Sequence, residues 1–303
     1  MKIGIDLGGS HISIGLIDKN FVIKEKRSFY MNDRNEMSIK NFILSSIKDG
    51  IEDILNASKT EMKDIEMIGI ATPGNVKNGV ITNVVNLGIE DFNIKESLEI
   101  YYQVPVKVEN DGKCAGIAEK KFGSLRNYDD AIFLCIGTGI GGAVFMNGAL
   151  LRPKRGSGFE LGHMCIEKDG LPCKCGNRGC FEVYGSKKKF KEEVLKILGI
   201  TDFGISGTDL IENIRKNIDT NQELKELVDE YVDYLALGIS NLVNIFEPEV
   251  IAIGGSLSHY EDFLFERIKM TAIDNKYVFN NEMPEIISAS MGNDAGMIGA
   301  ILL

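Results

Sequence analysis

One unit of pattern occurs twice in this chain, and the repetition restricts the available folds more than any other feature. IDLGGSHISIGLI (residues 5–17) and IGTGIGGAVFMNG (residues 136–148) each read as a strand, a glycine-rich turn and a returning strand. Their starts lie about 130 residues apart, which is a domain-sized interval and not a solenoid period. A duplicated α/β unit of this kind predicts two similar domains around a central cleft.

The rest of the pattern fits that plan. Ile3, Ile5 and Leu7, then Ile12, Ile14 and Leu16, make Lys2 to Asp18 a hairpin with residues 6–10 at its tip. A third strand is expected over Phe21 to Ser28. Ser38 to Asn56 carries apolar residues at helical spacing. Glu66 to Ile70 reads as a strand entering the turn Thr72-Pro73-Gly74, and Ala131 to Ile136 as the strand that opens the second copy. Asn147-Gly148 is a tight-turn signal, and helices follow at Lys187 to Leu198 and Glu223 to Phe246. The apolar stripe of the longer helix includes Leu235, Ile239, Leu242 and Ile245. Val250 to Ile253 is a buried-looking strand that ends in Gly254-Gly255-Ser256, a place where backbone can approach a ligand closely.

A chain of 303 residues amounts to about two domains. No apolar run reaches the roughly 18 residues of a membrane span, and MKIGIDLGGS lacks the basic and apolar regions of a leader, so a cytoplasmic protein is expected. The net charge of −10 argues against a nucleic-acid partner bound through a basic face. Of six cysteines, Cys114, Cys135 and Cys165 stand alone in apolar surroundings, whereas Cys173, Cys175 and Cys180 fall within eight residues. One tight cluster points to a metal site and not to a disulfide framework.

Four motifs carry chemistry. In Asp6-Leu7-Gly8-Gly9-Ser10 the glycines let backbone N–H groups reach phosphate oxygens, and Asp6 would hold Mg²⁺ through water. The same residues could equally be a tight turn with an Asx cap. Gly137-Thr138-Gly139 opens the second glycine turn. Because a strand follows it where a dinucleotide fingerprint needs a helix, it reads as a partner to the first phosphate-binding hairpin. Asn110-Asp111 lies at a strand-to-helix junction, where Asp111 is either an N-cap or a general base for phosphoryl transfer. His163 with Cys173, Cys175 and Cys180 has the composition of a closed structural zinc site.

With these residues assembled, the chain resembles the ROK family (repressors, open reading frames and kinases) of the actin/hexokinase superfamily. The resemblance rests on DLGGS, TPG, NLG, ENDGKCA, GTGIGG, ELGH with CKCGNRGCFE, AIGGSLS and GNDAGMIGA, in that order. It implies an actin-like, ribonuclease-H-like fold and an ATP-dependent hexose kinase acting on a sugar 6-OH, glucose first. N-acetylmannosamine, a β-glucoside, fructose, mannose or allose are the alternatives. A sugar-sensing repressor is the reading from another class, disfavoured because the first strand begins at residue 2 and leaves no room for a helix-turn-helix ahead of it.

By the same resemblance ATP lies against Asp6, Gly8, Gly9, Ser10, Gly137, Thr138, Gly139, Gly254 and Gly255. Asn110, Asp111, Glu160, His163, Glu182, Gly74 and Asn86 meet the sugar, with Asp111 as base. One ring nitrogen of His163 faces zinc and the other the sugar. A homodimer is implied too. The expected division is residues 1–115, with a terminal helix near 292–303 returning to them, and residues 116–291 with the zinc loop at 163–180. Three departures from the family pattern stand out. Ile89 replaces a common Trp, Gly112-Lys113 replaces Ala-Asn, and Gly156-Ser157-Gly158-Phe159 is idiosyncratic. Lys113 could change the electrostatics near the pocket, but a solvated helix residue is the expected reading.

Overall fold

The computed structural model describes residues 1–34, 36–84, 87–154 and 158–303, so the expectations placed on Asn86 and on Gly156-Ser157 lie outside the described residues. Two compact units are present. One comprises Met1–Phe122, Arg152–Phe159 and Asn293–Leu303, the other Gly123–Leu151 and Glu160–Gly292.

In the first unit β1 (Lys2–Leu7) and β2 (His11–Ile17) form the expected hairpin, with Ile5 opposite Ile14. β3 (Ile23–Tyr30) pairs with β2 and alternates half-buried with exposed residues, as an edge strand with one wet face should. α1 (Ile39–Ser58) starts at Ser38, whose hydroxyl accepts the Asn41 N–H, and stops at Lys59 in the left-handed region. β4 (Ile68–Thr72) lies parallel to β1. β5 (Asn75–Lys77), β6 (Val80–Val84) and β7 (Ile89–Phe92) make a separate antiparallel sheet. α2 (Ile94–Tyr102) leads to β8 (Val106–Asn110), parallel to β4, and α3 (Asp111–Phe122) follows at once. The main sheet runs β3-β2-β1-β4-β8. Ile3, Ile5, Leu7, Ile12, Ile14 and Leu16 are fully buried in its core with Ile43, Ile47 and Ile54 of α1.

The second unit uses the same topology. β9 (Ala131–Ile136) and β10 (Ile140–Met146) are the hairpin, and β11 (Ala149–Leu150) follows the Asn147-Gly148 turn, where both residues have positive φ. Five helices or strands come next: α4 (Phe181–Gly185), α5 (Lys187–Leu198), α6 (Gly207–Asn217), α7 (Gln222–Phe246) and β12 (Val250–Gly254). α8 (Glu261–Asp274) and β13 (Glu285–Ser288) complete the unit. Its sheet runs β11-β10-β9-β12-β13, with β9, β12 and β13 parallel, so the repeat read in the sequence extends to strand order and direction.

α9 (Ala295–Ala300) belongs to the first unit and packs on α3 and β1. The approach is close: a Cβ on Gly299 would come within 1.8 Å of the Cys114 carbonyl oxygen.

Three expectations fail. Ile245 is 67% exposed, because the inward stripe of α7 passes through Leu242 and Phe246 and leaves it outside. Cys165 is exposed rather than set in apolar surroundings. Lys113 is 4% exposed and engaged with a partner, not solvated: it lies on the first turn of α3, which is held against the sheet.

Candidate active site

In the first unit the parallel strands β1, β4 and β8 end together. Asp6 stands opposite Ala71, and Thr72 opposite Asn110. The carboxyl ends of parallel strands are where α/β sheets collect ligand groups. Asn110 is committed structurally. Its Oδ1 accepts the Lys113 N–H at 3.2 Å, which makes Asn110 the cap of α3, and its Nδ2 donates to the Gly74 carbonyl at 3.3 Å. The junction is thereby tied to the turn after β4. Gly74 is required there, since its φ is +84° and a Cβ would lie 2.7 Å from the Thr82 carbonyl. The alternative read for Asp111, an N-cap, is therefore filled by its neighbour. Asp111 occupies the first helical position, where its Oδ1 accepts the Gly112 N–H at 2.8 Å.

Asp6 and Asp111 act on each other electrostatically. Burial, and then the Asp111 charge, push the Asp6 carboxyl up to about 7, against a smaller opposing effect of Lys26. Lys26 itself is ion-paired with Asp294. Burial raises Asp111 as well, opposed by backbone N–H groups. Two half-buried carboxylates at the carboxyl ends of β1 and β8, one within the other's field, are a donor set that fits a hydrated divalent cation. At the hairpin tip the Gly8 N–H is spent on the His11 carbonyl at 2.9 Å. Gly9 has open space at its Cβ position, and Ser10 is exposed with its hydroxyl 3.1 Å from His11 Nδ1. Gly9 and Ser10 are thus the open part of the expected phosphate loop.

In the second unit a cavity of ≈ 340 Å³ is lined by Gly137, Thr138, Lys187, Lys191, Phe203 and Ser256, among others. It joins the turn after β9 to the turn after β12. Gly255 holds φ +71° with its Cβ position 2.7 Å from the Ile136 carbonyl, which packs the two turns directly on each other. Gly139 faces elsewhere: Glu182 Oε2 accepts the Ile140 N–H at 2.9 Å, and a Cβ on Gly139 would meet that oxygen at 2.3 Å. Glu182, expected to touch sugar, is at least in part a brace for the glycine turn. Its Oε1 accepts no bond from Ile140.

Lys187 and Lys191 line the same cavity as Gly137 and Thr138 and are candidate site residues that the sequence reading missed. Lys187 is 8% exposed, donates to the Ser256 carbonyl at 3.3 Å and lies 5.0 Å from the Tyr260 ring centroid. Burial, and then Lys191, lower its pKa. A signal was present: Lys187-Lys188-Lys189 opens α5 with no acid in its first turn, an arrangement the helix dipole disfavours unless an anion shares the site.

Glu160 leads into the single turn Leu161–His163, where the His163 N–H returns to the Glu160 carbonyl at 3.0 Å. His163, Cys173, Cys175 and Cys180 offer ligand atoms that all lie within 4.8 Å of one another. Cys173 Sγ is 3.7 Å from His163 Nδ1, and Cys175 Sγ is 3.7 Å from Cys180 Sγ. Tetrahedral zinc at about 2.3 Å from sulfur separates its ligands by about 3.7 Å, so the cluster fits that metal. Burial pushes the Cys180 thiol up to about 12, so without a cation the thiolate is disfavoured. Cys180 immediately precedes α4, which carries Glu182, so the cluster, the brace and the glycine turn form one connected piece of structure.

A family model described as "ROK family" matches residues 2–303. A glucokinase of Thermotoga maritima is 30% identical over 312 residues, covering 98% of this chain and 95% of its own length. A xylose repressor of Bacillus spizizenii is 29% identical over 300 residues, covering 98% of this chain and 75% of its own. Among solved structures, a ROK hexokinase from Thermus thermophilus superposes with a TM-score of 0.77 at 27% identity, covering 99% of this chain and 96% of that one. The mixed α/β architecture is the actin-like ATPase fold. No helix among the described residues is long and apolar enough to cross a membrane.

Proposed function

The chain belongs to the ROK family, and from that premise we propose that it is an ATP-dependent sugar kinase that phosphorylates a hexose hydroxyl, with glucose and its 6-OH the first choice. The observation that carries the reading is the pairing of Asp6 with Asp111, each raised in pKa, the second relieved of capping duty by Asn110. A purely structural junction gains nothing from two mutually repelling carboxylates.

Asp111 would accept the proton of the attacking hydroxyl, and a raised carboxylate is better suited to that than an ordinary one. Asn110 and the Gly74 turn hold it in place. Asp6 would orient the water shell of Mg²⁺, which together with ATP supplies charge neutralisation and the transferable phosphoryl group. Gly9, Ser10, Gly137 and Thr138 would offer backbone and hydroxyl donors to phosphate oxygens, with Lys187 and Lys191 adding positive charge. Glu160 and Oε1 of Glu182 would take sugar hydroxyls. His163, with Nδ1 toward the cysteines, keeps Nε2 for the same purpose. The domain limits expected near residues 115 and 291, the homodimer and the cytoplasmic location belong to the same proposal.

The test is ADP release with Mg-ATP across hexoses and N-acetylhexosamines, beside Asp111→Ala. Loss of general-base help is expected to cost roughly 10²–10⁴-fold in kcat. The repressor relatives favour a second reading, a sugar-binding sensor. Tight sugar binding with no turnover in the wild type would select it.

A further inference from the structure

The first unit carries a concavity whose lining includes neither Asp6 nor Asp111. It measures ≈ 330 Å³ and lies along β8, the edge strand of the main sheet. Lys107 projects from that strand, Lys77 from the end of β5, Lys95 from the first turn of α2, and Arg152 and Lys154 from the segment that closes the hollow. Against these five cations and the buried Lys113, which also lines the hollow, the wall has one carboxylate, Glu109. The chain as a whole carries −10, so this is a local inversion of charge. Gathering like charges in a concavity is unfavourable unless a counter-charge enters it.

The acidic residue is already engaged. Glu109 Oε2 is ion-paired with Arg152, and Glu109 Oε1 accepts the Asn110 N–H at 3.0 Å. Lys95 pairs only distantly with Glu99, at 3.8 Å. Lys77, Lys107 and Lys154 are exposed at the rim.

We propose that this hollow binds a small phosphate-bearing anion, a phosphate ester or free phosphate, at a site separate from the proposed nucleotide and sugar residues. A doubly charged phosphate can accept from the Arg152 fork and from several ammonium groups at once, and a single carboxylate cannot. The volume suits a small metabolite, whereas a nucleic acid would need an extended basic stripe. Occupancy reaches the catalytic junction through one side chain. An anion that draws Arg152 away leaves Glu109 without its counter-ion while Glu109 still holds the Asn110 N–H. The binding itself does not depend on the kinase reading.

The experiment is calorimetric titration of the full chain with inorganic phosphate, glucose 6-phosphate and glucose, in wild type and in Lys77→Glu/Lys107→Glu. Both lysines are exposed, so the variant should melt with the wild type; Lys154→Glu is the second variant. A phosphate ligand is expected to bind the wild type in the millimolar range or tighter and to weaken at least tenfold in the double reversal, with glucose unaffected. Lys216→Glu/Lys225→Glu, in the other unit, controls for net charge and should bind as wild type does. Stronger binding of the ester identifies an ester ligand, and equal binding identifies phosphate alone. Wild-type affinity in the double reversal, equal loss in the control reversal, or no phosphate binding to the wild type overturns the proposal.

Discussion

Replacing Glu182 by alanine tests whether the zinc loop braces the glycine turn. The bond from Ile140 N–H to Glu182 Oε2 is 2.9 Å long, and Ile140 is 5% exposed, so its N–H would lose a charged acceptor with little water to replace it. A hydrogen bond to a charged group contributes about 1.5–3 kcal/mol. Taking ~2 kcal/mol, and about 2–4 °C per kcal/mol for a cooperative unit of 150–250 residues, the melting temperature should fall by roughly 4–8 °C. Glu182→Gln keeps an acceptor of about half the strength and should lose about half of that. The crowding at Gly139 adds an independent arm. Gly139→Ala places a methyl 2.3 Å from the carboxylate oxygen, so it should destabilise the wild type and be far better tolerated beside Glu182→Ala. The assay is calorimetric melting of the five proteins without ligand, which keeps any sugar contact of Glu182 out of the measurement. Equal melting of Glu182→Ala and wild type, or strict additivity with Gly139→Ala, would refute the bracing argument.

Three further outcomes follow from the geometry. Elemental analysis should find about one zinc per chain, and Cys180→Ser or prolonged chelation should remove it and lower the melting temperature of the second unit, since metal affinity here is folding free energy. Because the folded-state pKa of Asp6 is about 7 against an ordinary 3.8, the stability linked to this group is full below about pH 4 and is lost as pH rises through 7. Asp6→Asn should therefore melt higher than the wild type at pH 8 in metal-free buffer, by up to a few kcal/mol of stability, and match it near pH 4; Mg²⁺ should narrow the gap by stabilising only the wild type. Lys113→Ala, which removes a buried and engaged lysine from the first turn of α3, should cost about 1–3 kcal/mol, and a loss under 0.5 kcal/mol in denaturant titration would show that its interaction is worth little.

Periodicity and glycine placement made the frame legible. The duplicated hairpins, the strand running into Gly254-Gly255 and the cysteine spacing all have local causes, and local causes can be read along a chain. Boundaries slipped where hydrogen bonding decided them: β3 begins at Ile23 and not at Phe21, which has φ +63° and closes the turn instead. What stayed hidden was the choice between adjacent residues. Either Asn110 or Asp111 could cap α3, and only the bond from Lys113 N–H assigns the cap to Asn110. The bracing bond of Glu182 stayed hidden because its link to Ile140 spans 42 positions. Lys113 read as solvated because lysine on a helix usually is, and its burial depends on what lies against α3.

The return of α9 to the first unit also sets an order in time. Met297, Ala300 and Ile301 are almost fully buried, and they pack where β1, β4 and α3 would otherwise face water. A ribosome makes residues 1–122 first and residues 293–303 after the entire second unit. During synthesis the strand bearing Asp6 waits, with one face uncovered, for more than half of the chain to emerge. The intervening unit has its own core and can fold in the interval. The surroundings of Asp6 and Asp111 are therefore completed only when α9 docks, after the second unit has been made.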